Sequence, residues 1–188
     1  MSRLVLLGPP GAGKGTQAKE LAGSLGIPAI STGDIFRANV GEGTELGRMA
    51  QRFMDAGEYV PDEVTNAMVR DRLAEQDAAD GFLLDGYPRT VAQVEELDSM
   101  LAEQGKGLDA VVELTVDTDE VVKRLLKRAE IEGRTDDTEP VIRRRLEVYF
   151  EQTAPLTQLY DSRGLLRRVD GLGDVADVTK RLLAVLGD

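Results

Sequence analysis

The sequence predicts an α/β domain: a parallel sheet of five strands in three layers, with helices on both faces. Two observations predict the layers. Short apolar runs at residues 4–7, 27–30, 82–85, 110–114 and 165–169 are spread along the chain. Between them lie stretches whose apolar residues recur at three- and four-residue intervals, the spacing of a helix face. A strand-helix alternation of this kind builds parallel sheets through right-handed crossovers. A third observation, the glycine-rich turn between the first run and the first helical stretch, fixes where a ligand would sit. The chain has 188 residues, enough for one domain with a full core and short for two.

In chain order, Leu4-Val5-Leu6-Leu7 reads as a buried strand, and Ala18, Leu21, Ala22 and Leu25 mark the helix that follows. Ile27-Pro28-Ala29-Ile30 reads as the second strand. Ser31-Thr32-Gly33-Asp34 is a turn and helix cap, with Thr32 and Asp34 as capping candidates. From there to about Arg72 the pattern is helical, interrupted at Gly41-Glu42-Gly43 and Gly57 and restarted at Pro61. So long a helical excursion between strands predicts a small inserted subdomain over residues 31–60. Phe82-Leu83-Leu84-Asp85 is a short strand ending in an acid, and Gly86-Tyr87-Pro88-Arg89-Thr90 breaks it and caps a helix carrying Val94, Leu97 and Leu101. Ala110-Val111-Val112-Glu113-Leu114 is the fourth strand, followed by a helix with Val121, Val122, Leu125 and Leu126. Residues 129–137 are polar and contain Gly133, which reads as a loop. Ile142, Leu146, Tyr149 and Phe150 form a helical stripe that Pro155 bends or restarts. The run at 165–169 is a fifth strand with an exposed edge, and Val175, Val178, Leu182 and Val185 close the chain as an amphipathic helix.

Composition removes several chemistries. The chain has no cysteine and no histidine, so thiol nucleophiles, Ser-His-Asp triads and Cys/His zinc sites are excluded. No apolar run approaches membrane-span length, and Met1-Ser2-Arg3 leads straight into a strand without a signal-peptide pattern, which predicts a cytoplasmic protein with no membrane partner. The net charge of −11 predicts no nucleic-acid partner. Basic residues nonetheless gather between Lys123 and Arg145. On an acidic chain such a cluster fits a small, multiply charged anion, although solvated helix faces account for some of these residues equally well.

Gly8-Pro9-Pro10-Gly11-Ala12-Gly13-Lys14-Gly15-Thr16 stands between the first strand and the first helix. Glycines let successive N–H groups converge on phosphate oxygens, and the helix N-terminus adds a favourable dipole. Lys14 supplies a point charge for the outer phosphates. The general phosphate-loop pattern wants Ser or Thr directly after the lysine. Here Gly15 stands there, with Thr16 one place on. Asp85 ends a strand, so a parallel sheet places it at the same edge as the glycine loop. An acid there can hold Mg²⁺ through water, and it can equally be a turn or capping residue. Arg89 would lie near the same edge.

These segments together resemble the adenylate kinases of the nucleoside monophosphate kinase family, in their short-lid form. The resemblance runs nearly end to end and includes the irregular Gly15. It rests on residues 8–17, on Ser31-Thr32-Gly33-Asp34 with Arg37, on Asp85-Gly86-Tyr87-Pro88-Arg89-Thr90 with Gln93, and on Arg124, Arg128, Arg134 and Arg145. It implies phosphoryl transfer from MgATP to AMP, giving two ADP. It implies that Gly11, Ala12, Gly13, Lys14, Gly15, Thr16, Arg128 and Gly173 contact ATP. It implies that Thr32, Arg37, the backbone of Glu58, Tyr59 and Val60, and Gly86, Tyr87, Pro88, Arg89 and Gln93 contact AMP, with Arg134 and Arg145 clamping the phosphates nearby. Lys14, Arg89, Arg124, Arg128, Arg134 and Arg145 would neutralise the transferred group. The segment between Arg128 and Arg134 has only five residues, so the lid over 128–137 is expected to be short and without zinc. A monomer is expected. A UMP or CMP kinase, another phosphate-loop phosphotransferase and a GTPase-like switch are the alternatives. Thr32 argues for AMP over pyrimidine acceptors, and no Asn-Lys-x-Asp segment supports a guanine switch.

Overall fold

The structure, a computed structural model, describes residues 2–133 and 138–187. Strands β1 (Arg3–Leu7), β2 (Ala29–Ser31), β3 (Phe82–Asp85), β4 (Ala110–Thr115) and β5 (Leu166–Asp170) form one sheet in the order β2-β3-β1-β4-β5. Every pairing is parallel, as the strand-helix alternation requires. Between the strands run α1 (Lys14–Leu25), α2 (Thr32–Glu42), α3 (Glu45–Asp55), α4 (Asp62–Leu73), α5 (Val91–Ala102), α6 (Thr118–Glu132), α7 (Glu139–Val148), α8 (Pro155–Ser162) and α9 (Val175–Val185).

The pleat sorts the strand residues into two cores. Val5, Leu7, Leu84 and Val111 face Val69, Val94, Leu97 and Leu156 of α4, α5 and α8. Leu4, Leu6, Leu83 and Val112 face Ala18, Leu21, Val178 and Leu182 of α1 and α9. Leucines at or near zero exposure fill both layers, and each contributes about 2 kcal/mol through burial. Two smaller clusters stand apart. Val121 and Leu125 of α6 pack on Ile142 and Leu146 of α7, while Phe36, Ala50 and Val60 join α2, α3 and the entry to α4.

The sheet's geometry places the site. In register, Asp85 lies beside Leu6 of β1 and Ser31 of β2, and Leu7 lies beside Glu113 of β4. The exits of β1, β2 and β3 therefore start from one row at the carboxyl edge. The chain leaves β1 toward β2 and leaves neighbouring β3 toward β4, in opposite directions. A crevice opens at such a switch point.

Three expectations need correction. The second strand begins at Ala29 rather than Ile27. Gly26, in the left-handed conformation, caps α1, and the Ile27 N–H returns to Ala22 O, so this stretch belongs to the helix end. Residues 129–132 are not loop but the last turn of α6, which stops at Gly133. Their polarity marks exposure, while Ala, Glu, Ile and Glu remain adequate helix formers. The stripe ending at Phe150 and the separate stripe beginning at Val175 are likewise incomplete, since both side chains are about half exposed. A five-residue π-helical stretch, Tyr149–Thr153, shifts the register between α7 and α8 and turns Phe150 outward.

Candidate active site

The loop after β1 needs its glycines for defined reasons. Gly11 has φ +84°, and a Cβ there would stand 2.8 Å from Leu125 Cγ and 3.0 Å from the Val121 carbonyl oxygen, so the loop rests directly on α6. Gly13, with φ +87°, is the residue before α1 and has open space around it. Lys14, Gly15 and Thr16 form the first turn of α1 and face the cleft. The Lys14 ammonium donates to the carbonyl oxygens of Gly8 and Pro9 at 2.9 and 3.3 Å. Burial drives its pKa down to about 8, the Asp85 carboxylate opposes that shift, and the cations Arg89 and Arg128 add to it. Ala12 is buried, with its N–H donating to Pro9 O, and does not line the cleft.

Asp85 is only 7% exposed, and no hydrogen bond from another described residue reaches its carboxylate. Among the described residues no group of three or more acids gathers around a metal position. One buried carboxylate facing the phosphate loop suits Mg²⁺, which keeps several waters and takes phosphate oxygens for the rest. Asp85, with the Thr16 hydroxyl on the first turn of α1, therefore fits an ATP-bound Mg²⁺ held through water.

Across the same cleft, Ser31 rather than Thr32 or Asp34 caps α2, its hydroxyl accepting from Asp34 N. Thr32 is thus released to donate to the carbonyl oxygen of Gly86 at 3.0 Å. Arg37 lies over Gly33 and pairs with Asp34 at 2.8 Å. The turn between α3 and α4 brings Glu58, Tyr59 and Val60 to the cleft. Gly86, Pro88, Arg89 and Gln93 line it from the β3–α5 side. Gln93 is 1% exposed; its Oε1 accepts from Arg89 N and its Nε2 donates to Asp62 Oδ1, so one lone pair and one N–H remain for a ligand. Tyr87 does not reach the cleft. Its ring is fully buried in the core and its hydroxyl donates to Asn66 Oδ1 at 2.7 Å.

The cluster of basic residues divides. Arg124 and Arg128 of α6 and Arg145 of α7 line the cleft, and Arg124 is 3.5 Å from Glu120. Arg143 and Arg144 pair with Glu139 and with Glu58 and Glu147 instead. Arg134 lies outside the described residues, as does the rest of the lid over 134–137. Gly173 does not line the cleft either. Its loop sits beside the phosphate loop through Gly171, whose added Cβ would be 3.5 Å from Ala12 O, and Arg181 pins it by donating to Asp170 O and Leu172 O.

The result is one continuous cleft of about 390 Å³, reached by the phosphate loop, by α2 and the α3–α4 turn, and by the arginines of α6 and α7. Sequence reasoning missed Asp62, which accepts from both Thr90 and Gln93, and Thr153, which bonds both Arg89 and Tyr59. An acid following Pro61 at a helix start could have flagged Asp62 only as a first-turn residue. Nothing in the sequence marks Thr153.

The family model described as adenylate kinase matches residues 6–165. The chain belongs to the adenylate kinase family. It is 67% identical over 184 residues to an adenylate kinase of Nocardioides sp., covering 98% of this chain and 96% of that one. It is 64% identical to one from Kocuria rhizophila, with 99% of each covered. It is 62% identical to one from Thermobifida fusca, with 98% and 97% covered. Coverage so complete leaves no room in these adenylate kinases for a long insertion, so the short connection between α6 and α7 is not a truncation relative to them.

Proposed function

We propose that this member of the adenylate kinase family transfers the terminal phosphoryl group of MgATP reversibly to AMP, giving two ADP. The observation that carries the reading is the cleft shared by the phosphate loop and the proposed acceptor side. The phosphate loop with Lys14 lines it from the β1 side, and Thr32, Gly86 and Arg89 line it from α2 and the β3–α5 segment. Gly11 to Thr16 hold the donor phosphates, with Ala12 contributing packing, and the loop at Gly173 lies against the donor base. Thr32, Arg37, the backbone of residues 58–60, Gly86, Arg89 and Gln93 hold the acceptor. Mg²⁺ bound with ATP, anchored through Asp85, would neutralise charge on the donor phosphates.

No general base is needed, because an AMP phosphate oxygen is already ionised near neutral pH. A chain without histidine is no poorer for it. Lys14, Arg89, Arg124, Arg128, Arg134 and Arg145 align the two phosphates and spread the developing charge, work suited to guanidinium forks. The segment 31–60, held by its own cluster, and the short lid over 128–137 close over the cleft and exclude water. The enzyme acts as a cytoplasmic monomer; among the described residues no helix is long and apolar enough to cross a membrane.

A coupled assay for ADP formed from ATP with AMP, CMP and UMP tests the reading. AMP is the preferred acceptor, and Lys14→Met and Arg89→Ala each lose about a hundredfold or more in turnover while remaining folded. CMP matching AMP would make this a pyrimidine kinase, and near-normal turnover in either variant would remove the site assignment.

A further inference from the structure

Arg89 is held from two directions that meet in one hydroxyl. Its guanidinium lies over the ring of Tyr59, 5.0 Å from the centroid, and an added Cβ on Gly86 would stand 3.0 Å from its Nη2. Its carbonyl oxygen accepts from Thr153 Oγ1 at 2.7 Å. Thr153 Oγ1 also lies 2.6 Å from the Tyr59 hydroxyl. A threonine hydroxyl has one proton. Since that proton goes to Arg89 O, the Tyr59 hydroxyl must be the donor in the second bond. Burial raises the Tyr59 pKa, which keeps that phenolic proton in place across the working pH range.

Thr153 is 3% exposed and ends the π-helical stretch Tyr149–Thr153, where Ala154 N bonds back to Tyr149 O. A wide turn costs helix stability and recurs where a side chain must be re-aimed at a function. Here it delivers a hydroxyl to the backbone of Arg89 and, through Tyr59, to the face on which the guanidinium rests. Three segments far apart in sequence are tied at one atom: the α3–α4 turn, the β3–α5 loop and the end of the π-helical stretch before α8.

We infer that Thr153 is a positioning residue for Arg89: its hydroxyl fixes the Arg89 carbonyl and the Tyr59 ring together, and so aims the guanidinium at the acceptor phosphate. The inference rests on the AMP kinase reading. The Tyr59 side chain thereby gains a role besides the acceptor contact proposed for its backbone.

Steady-state kinetics on Thr153→Val, which keeps shape and loses the hydroxyl, and Thr153→Ser, which keeps the hydroxyl, test it. Thr153→Val lowers kcat/KM for AMP about tenfold and leaves KM for ATP within twofold of the parent. Thr153→Ser recovers AMP efficiency to within twofold. If Thr153→Val does not fold, Tyr59→Phe keeps the ring, removes the Tyr59–Thr153 bond alone, and lowers kcat/KM for AMP about threefold with KM for ATP unchanged. A KM for ATP raised as much as that for AMP in Thr153→Val, no recovery with Ser, or parental kinetics in Thr153→Val or Tyr59→Phe would overturn the inference. Absence of AMP kinase activity in the parent protein would overturn the functional reading instead.

Discussion

Thr32 and Gly86 are joined by a buried hydrogen bond, hydroxyl to carbonyl, that ties the first turn of α2 to the loop leaving β3. Thr32 also lines the cleft, where we propose that its side chain packs against the acceptor base. Thr32→Ala removes both interactions. It should cost about 1 kcal/mol of stability, visible in thermal melts, and reduce the AMP-over-CMP preference about tenfold in an acceptor panel.

Lys14 gives the cleft a pH signature. With its pKa near 8, the free protein carries a neutral Lys14 above that pH, and phosphate binding restores the charge. ATP binding should therefore take up close to one proton at pH 9 and almost none at pH 6.5. Calorimetry in buffers of different ionisation heat measures this directly. Lys14→Arg should abolish the uptake.

The same depressed pKa has a consequence for folding. The unfolded chain holds the Lys14 proton up to about pH 10.5, whereas the folded chain releases it from about pH 8. Stability contributed by this group therefore rises with pH across that window, and at pH 7 the buried charge costs on the order of 3 kcal/mol. Without nucleotide, Lys14→Met should melt higher than the parent at pH 7, and the gap should close toward pH 10.

Gly11 and Gly15 separate strain from access. Gly11→Ala combines φ +84° with a Cβ driven into Leu125 and the Val121 carbonyl, and should lose on the order of 2 kcal/mol together with ATP binding. Gly15 lies in the first helical turn with nothing within 4 Å of an added Cβ. Gly15→Ala should keep or raise the melting temperature by the helix preference of alanine, yet weaken ATP binding because the new methyl group enters the phosphate space.

Asp85→Asn preserves shape and removes the buried charge. The Mg²⁺ concentration for half-maximal turnover should rise about tenfold or more. Because Asp85 also holds the Lys14 pKa up, the midpoint of proton uptake on ATP binding should move to lower pH in the same variant.

Much of this architecture is legible in the order of the residues. Apolar runs mark the strands because parallel strands are buried on both faces, and the glycine loop declares itself by spacing. Asp85 and Arg89 can be assigned to the sheet edge from chain order alone. What escapes is long-range or polar. Residues 129–132 pass for loop because an exposed helical turn lacks an apolar stripe. Tyr87 passes for a ligand contact because a motif gives order, whereas the pleat and the following turn decide which side chain goes inward. Thr153 has no signature, since its partners are 64 and 94 residues away and a widened helical turn leaves no compositional trace.

The row in which Leu6, Asp85 and Ser31 stand side by side gives the phosphate loop, the candidate metal anchor and the proposed acceptor segment a common foundation. Damage beneath that row should be felt everywhere at once. A cavity opened under Leu84 or Val5 would let the three segments drift together, so such a lesion would weaken both nucleotides in parallel, whereas a lesion in the cleft itself weakens one. Correlated loss of the two affinities is thus a diagnostic for a fault in the foundation, legible from kinetics alone.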